Sequence, residues 1–183
     1  FFFFKNSISG GQADAVIAFG RPTDSVVIGD WNGDGTDTIG VRRGSTYYLL
    51  DCFHGGDADA SVAFGTPSDT VLVGDWNGDG KDTLAVRRGA IYYVSDALKG
   101  GTADRTFTYG HSGDEVYVGD WDGDGRDTFA VRRDNTFHLR NALSGGRADR
   151  TVTYGRARDT VLVGDWDGDG TDTFALRRPP AKP

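Results

Sequence analysis

The sequence contains no methionine, one cysteine (Cys52), five prolines and, among 27 acidic residues, a single glutamate at Glu115. One thiol cannot close an intramolecular disulfide, so cysteine usage selects neither an oxidising nor a reducing compartment. No apolar run approaches the ~20 residues that a membrane-spanning helix needs. Cationic charge is scarce too: 20 Lys and Arg leave a net charge of −7, which argues against nucleic acid, whose phosphates call for a basic footprint. The apolar start, Phe1 to Phe4, is too short for a signal-peptide core and has no basic region before it. The lack of Met predicts a processed product or an excerpt of a longer protein. What is abundant is glycine, 28 of 183 residues, together with aspartate. That composition disfavours helices and favours turns.

The dominant feature is a repeat. Trp31, Trp76, Trp121 and Trp166 are spaced 45 residues apart, and Gly-Asp-Trp-Asn/Asp-Gly-Asp-Gly recurs around each. An Asp-Thr pair follows each copy, then Arg42, Arg87, Arg132 or Arg177 opens an Arg pair. A fixed period in this range marks solenoids, propellers and arrays. Each period reads as four short strands separated by turn residues: 71–74, 83–87, 91–94 and 61–64, or their equivalents. The first, Val-Leu-Val or Val-Val-Ile, lacks polar alternation and reads as buried on both faces. Small residues at Gly40, Ala85, Ala130 and Ala175 suit close approach of neighbouring sheets.

Four strands per ~45 residues is the blade size of a β-propeller. The expected fold is therefore all-β, one domain of four four-stranded blades from repeats 1–45, 46–90, 91–135 and 136–180, with a short tail at 181–183. The chain opens in the phase of third and fourth strands (2–5 and 15–19) and closes with first and second strands (161–164 and 173–177). Pairing of these ends would complete one blade, close the ring and remove exposed sheet edges. A closed monomer is expected, with a dimeric eight-bladed ring as its rival.

The chemistry is concentrated between the first two strands of each repeat. There the sequence Asp-Trp-Asn/Asp-Gly-Asp-Gly-x-Asp places side-chain oxygens at positions 1, 3 and 5. These are Asp30, Asn32 and Asp34; Asp75, Asn77 and Asp79; Asp120, Asp122 and Asp124; and Asp165, Asp167 and Asp169. Position 7 would add a backbone carbonyl from Thr36, Lys81, Arg126 or Thr171. Calcium takes 6 to 8 oxygen ligands, and glycine permits the sharp turn that gathers them. The pattern matches the start of an EF-hand loop, but position 12 is Val41, Val86, Val131 or Leu176 rather than Glu, and strands flank it. The loops hold 14 of the 27 acids, so about four calcium ions, one per repeat, would relieve their repulsion.

These loops resemble the FG-GAP or VCBS repeat family, which builds calcium-binding blades in integrin-like propellers and secreted bacterial proteins. The Phe-Gly element stands at Phe19-Gly20 and Phe64-Gly65, with Tyr109-Gly110 and Tyr154-Gly155 in the other copies, and the Gly-Ala-Pro element is absent. The family loop ends in a carboxylate at position 9. Here position 9 is Thr38, Thr83, Thr128 or Thr173, and the Asp comes one step earlier at Asp37, Asp82, Asp127 and Asp172. That Asp is expected to close the metal site, or else to brace the loop from behind.

The loop tryptophans invite a sugar-stacking role, but packing between blades is the simpler expectation. The pairs Phe2-Phe3, Tyr47-Tyr48, Tyr92-Tyr93 and Phe137-His138 alternate across a strand, which allows one member of each to face solvent, with core or edge packing expected. The Arg pairs suit binding of carboxylates or glycans, or equally local ion pairs with the 13 acids outside the loops, and surface pairs of that kind contribute little. His54, His111 and His138 occupy three different places in the repeat, so no catalytic set assembles. The expected function is non-catalytic: a calcium-stabilised propeller module, secreted or extracellular, that recognises a protein or glycan. The alternative is a lectin with repeated pockets between blades.

Overall fold

A computed structural model describes residues 1–178 and 180. Sixteen strands are present: β1 (Phe2–Phe4), β2 (Ala15–Ile17), β3 (Ser25–Gly29), β4 (Thr38–Arg43), β5 (Thr46–Leu49), β6 (Ala60–Ala63), β7 (Thr70–Gly74) and β8 (Thr83–Arg88). They continue with β9 (Ile91–Val94), β10 (Arg105–Thr108), β11 (Glu115–Gly119), β12 (Thr128–Arg133), β13 (Thr136–Arg140), β14 (Arg150–Thr153), β15 (Thr160–Gly164) and β16 (Thr173–Arg177). The described residues contain no helix. The strands form antiparallel meanders: β3–β6, β7–β10 and β11–β14 are four-stranded sheets, and β1–β2 and β15–β16 are separate two-stranded ones.

Repetition in sequence becomes repetition in register. Val71 faces Val86 and Leu72 faces Ala85 across β7 and β8, just as Val26 faces Val41 and Val27 faces Gly40 across β3 and β4. The turn from second to third strand starts with a residue in the left-handed region: Gly44, Gly89 and, in the third sheet, Asp134 at φ 57°. Aspartate is among the few L residues that adopt this conformation readily.

The second strand, rather than the first, is the buried one. All but the ends of β4, β8 and β12 is inaccessible, whereas β3, β7, β11 and β15 are only partly covered. The first strand is a sheet edge, so the fully apolar Val-Leu-Val pattern overstates its burial. The second strand has partners on both sides. Cores form between successive sheets: Trp31, Tyr47 and Leu49 pack with Leu84 and Val86 of the next sheet, and Trp76 and Tyr92 pack with Phe129 and Val131. Successive first strands touch in order, β3 with β7, β7 with β11 and β11 with β15.

Ring closure is not seen. Strands β1–β2 and β15–β16 remain distinct sheets; one face of each packs on the adjoining four-stranded sheet, while Phe3, Val16 and Leu162, and Trp166 just after β15, are exposed. The expected tail at 181–183 lies outside the described residues.

Candidate metal centres

Each acidic loop is organised around its first aspartate. The Asp30 Oδ1 accepts the amides of Gly33 (2.8 Å) and Asp34 (3.2 Å), and its Oδ2 accepts that of Gly35 (2.7 Å). Asp75, Asp120 and Asp165 make the same three bonds. Gly33 and Gly35 sit at φ 77° and 83°, and their counterparts repeat these values closely. Only glycine adopts that conformation without strain, which is why Asp and Gly alternate here. At position 5, Asp34, Asp79, Asp124 and Asp169 each accept the amide of position 7 through Oδ1.

The position-3 side chains complete the cluster differently in the two halves. Asn32 and Asn77 donate their amides to the Oδ2 of Asp34 and Asp79, each at 3.0 Å. With Asp at that place, Asp120, Asp122 and Asp124 bring one carboxylate oxygen each within 4.8 Å of one another, and so do Asp165, Asp167 and Asp169. The crowding is felt at Asp122, whose pKa is raised by desolvation and then by the charges of Asp124 and Asp120. Among the described residues no ion pair reaches an acid at positions 1, 3 or 5. An all-oxygen donor set with uncompensated negative charge fits a hard cation of the calcium type.

Three of the four position-8 aspartates are engaged by the loop of the preceding repeat. Asp82 Oδ2 accepts the Asp30 amide (2.9 Å) while its own amide donates to the Asp30 carbonyl (2.8 Å), so it braces the loop of the preceding repeat. Asp127 does the same to Asp75, and Asp172 to Asp120. Burial is the first cause of the raised pKa values of Asp82 and Asp127, the latter pushed up to about 6. Position 9 is also committed: Thr38 and Thr83 are buried and donate to the carbonyls of Leu50 and Ser95. Of the two expected roles for the position-8 Asp, Asp82, Asp127 and Asp172 make the brace contact, whereas Asp37 is exposed and braces no loop among the described residues. Its target in an adjacent loop was not visible from spacing within a single repeat.

The Arg pairs also differ from expectation. The first member clamps the next repeat: Arg87 donates to the carbonyls of His111 and Asp114, both at 2.7 Å, and Arg42 and Arg132 do the same to Thr66 and Asp69 and to Arg156 and Asp159. The second member pairs two-pronged with a buried aspartate in its own repeat: Arg43 with Asp24, Arg88 with Asp69, Arg133 with Asp114, and Arg178 with Asp159. Those aspartates also accept a turn amide, as Asp69 does from Thr66. These pairs lie only partly at the surface, because the aspartate side chain is buried while the arginine remains a third to a half exposed. The missed signal was the recurrence of Asp24, Asp69, Asp114 and Asp159 at the same 45-residue step.

The repeated aromatics are largely consumed by packing. Trp31, Trp76 and Trp121 are buried, as are Tyr47, Tyr92 and Phe137, whereas Trp166 is 56% exposed. His54 pairs with Asp59 and the other two histidines lie elsewhere, so the described residues bring no histidine to the loops.

Compared with known proteins, the chain matches no family model and no curated protein.

Proposed function

We propose that the chain is a calcium-loaded repeat module of the FG-GAP or VCBS type, with its sheets serving as propeller blades and its role recognition outside the cell rather than catalysis. The observation that carries this is the row of four superimposable loops. All four share one hydrogen-bonded scaffold around the position-1 Asp, the position-1, 3 and 5 carboxylate oxygens of the last two converge, and no cation pairs with these acids in a chain that otherwise pairs its buried aspartates with arginine. Position 4 of each loop lies against position 7 of the next, Gly33 against Lys81 and Gly78 against Arg126, so filling one loop rigidifies a continuous edge. Calcium in this role is structural. With the position-8 Asp turned to the neighbouring loop, the first-choice ligands are the side chains of positions 1, 3 and 5 and the position-7 carbonyl.

The lectin alternative has less support, because three of the four tryptophans that would serve as stacking platforms are buried between sheets. Calorimetric titration of chelator-treated protein with calcium, alongside thermal unfolding, tests the proposal. The expected result is uptake of about four ions with a rise in melting temperature; one site at a hundredfold excess over Kd contributes about 2.7 kcal/mol. No heat and no thermal shift would sink it. Glycan arrays probed with and without calcium then separate sugar from protein ligands.

A further inference from the structure

Two dipeptides in the acidic loops carry a chemistry that metal binding does not use. The chain has five asparagines, and only Asn32 and Asn77 are followed by glycine, at Gly33 and Gly78; Asn6, Asn135 and Asn141 precede Ser7, Thr136 and Ala142. Asparagine is thermolabile because the nitrogen of the next peptide group can attack its side-chain carbon, and a following glycine, with no Cβ, leaves that approach unhindered. Both glycines are exposed and both asparagines half-buried, so solvent reaches the site. The third and fourth loops already hold the product of such a reaction: Asp122-Gly123 and Asp167-Gly168 stand where the first two have Asn-Gly. The scaffold accepts either residue, since the position-4 amide donates to the position-1 carboxylate at 2.7–2.8 Å in all four loops. The surroundings differ. Lys81 lies against Gly33 and Arg126 against Gly78, whereas Thr171 takes that place at Gly123. The two loops without an acid at position 3 are thus the two with a cation of the next repeat beside them.

The folded loop restrains both reacting groups. The Gly33 nitrogen must lose its proton before it can attack, and that N–H donates to the Asp30 carboxylate; Gly78 does the same to Asp75. A carboxylate against the nitrogen disfavours the amide anion. The carboxamide is fixed at both ends: Asn32 Oδ1 accepts the Asp34 amide and its Nδ2 donates to Asp34 Oδ2, each at 3.0 Å, and Asn77 makes the same bonds with Asp79. Asn32 Nδ2 also reaches the Asp51 carbonyl at 3.3 Å, a restraint without a counterpart at Asn77 among the described residues.

We propose that Asn32 and Asn77 are sites of spontaneous deamidation, gated by opening of their loops, that turns the first two loops into the three-carboxylate form of the last two. When a loop opens, the Gly nitrogen gives up its proton and bonds to the Asn Cγ. The Cγ–Nδ2 bond breaks and ammonia leaves with that proton, which closes a succinimide ring. Water then opens the ring. Attack at Cγ gives Asp with an intact main chain, and attack at the main-chain carbonyl gives isoaspartate, whose backbone is one carbon longer. The aspartyl product adds one negative charge to its loop, beside Lys81 or Arg126. The step needs neither an enzyme nor a metal.

Peptide mapping by mass spectrometry tests this, after incubation of the chelator-treated full chain at mildly alkaline pH in water enriched in heavy oxygen. Label is expected at Asn32 and Asn77 and not, over the same period, at Asn6, Asn135 and Asn141. Asn77 should lead, because it lacks the bond that Asn32 makes to the Asp51 carbonyl. Both should react at least about tenfold more slowly in the native chain than in urea, since the step proceeds from the opened loop. Asp75→Ala removes the acceptor of the Gly78, Asp79 and Gly80 amides and should speed Asn77 at least about tenfold, while Asn32 in the neighbouring loop keeps its rate. Equal acceleration at Asn32 would mark general unfolding, and the urea comparison on the unaltered chain then decides. Absence of label at Asn32 and Asn77, or native rates equal to those in urea, overturns the proposal.

Discussion

Replacing Asp69 by Asn tests whether the recurrent Arg–Asp pair is structural or merely a surface ion pair. The Asp69 side chain is wholly buried and accepts three bonds at 2.8 Å, two from the Arg88 guanidinium and one from the Thr66 amide. The Arg88 guanidinium is the largest influence holding its carboxyl at about 2. Asparagine keeps the bond from Thr66 but presents an NH2 group to a guanidinium, so one charge-assisted bond is lost and a donor faces a donor. Hydrogen bonds to charged groups contribute about 1.5–3 kcal/mol each, and Arg88 is half exposed, so water recovers part of its loss. A net cost of about 2 kcal/mol follows, or about 4–8 °C in melting temperature for a chain of this length. Differential scanning calorimetry at neutral pH, with calcium and again with chelator, measures it, and the two shifts should agree because Asp69 lies outside the loops. A double-mutant cycle with Arg88→Met isolates the pair. A coupling below about 0.5 kcal/mol would refute the reasoning and return the pair to the surface class.

Trp76→Ala is expected to cost about 3–5 kcal/mol in denaturant unfolding, since the side chain is 2% exposed and packs on Phe129. Asp127 makes the metal-free protein pH-sensitive. With its pKa raised to about 6, the folded state holds this proton more tightly than the unfolded one, so its contribution is full below about pH 4 and fades as pH rises through 6. Chelated protein should therefore gain up to about 3 kcal/mol from this group on going from pH 7.5 to pH 4, and Asp127→Asn should flatten that slope in urea titrations at several pH values. Asp69 acts in the opposite sense: its contribution is intact above about pH 4 and lost toward pH 2, so Asp69→Asn should leave a shallower acid limb. Asp120→Ala should abolish one equivalent of calcium uptake, read by titration calorimetry, and also loosen its loop, because the same carboxylate accepts three amides.

Much of the fold could be read before the structure, because a 45-residue period with no gaps transmits one strand plan to every copy. The third strand, 91–94, was placed to the residue, and the others within a residue or two. The errors share a cause: they concern contacts between repeats. Spacing inside one loop shows that Asp82 is near the other acids of its own loop, but not that its carboxylate turns to the Asp30 amide of the preceding loop. The Arg pairs look identical in sequence, yet Arg87 and Arg88 serve different sheets, one gripping the next repeat and one its own. The order of burial was also inverted. Val-Leu-Val at the sheet edge is more apolar than Thr-Leu-Ala-Val-Arg-Arg in the middle, and only the topology reveals which of the two has neighbours on both sides. The acidic loops were legible because their geometry is local, set by Asp side chains and glycine turns a few residues apart.

The clamps have a consequence for how such a chain changes over generations. The recurrent Asp and Arg clamps between sheets join positions at fixed separations, so each 45-residue unit carries one donor half and one acceptor half of the same joint. Excising 70–114 as a whole would leave Arg42 on the turn of Thr66 and Asp69, bring Asp69 to face Arg133 and Asp30 to face Asp127, and orphan no group between the joined units. Loss or duplication of a fraction of a unit would strand a buried guanidinium or carboxylate at once. Genetic drift in copy number is thereby permitted only in whole steps of the repeat, and the chemistry of the joint acts as the ruler.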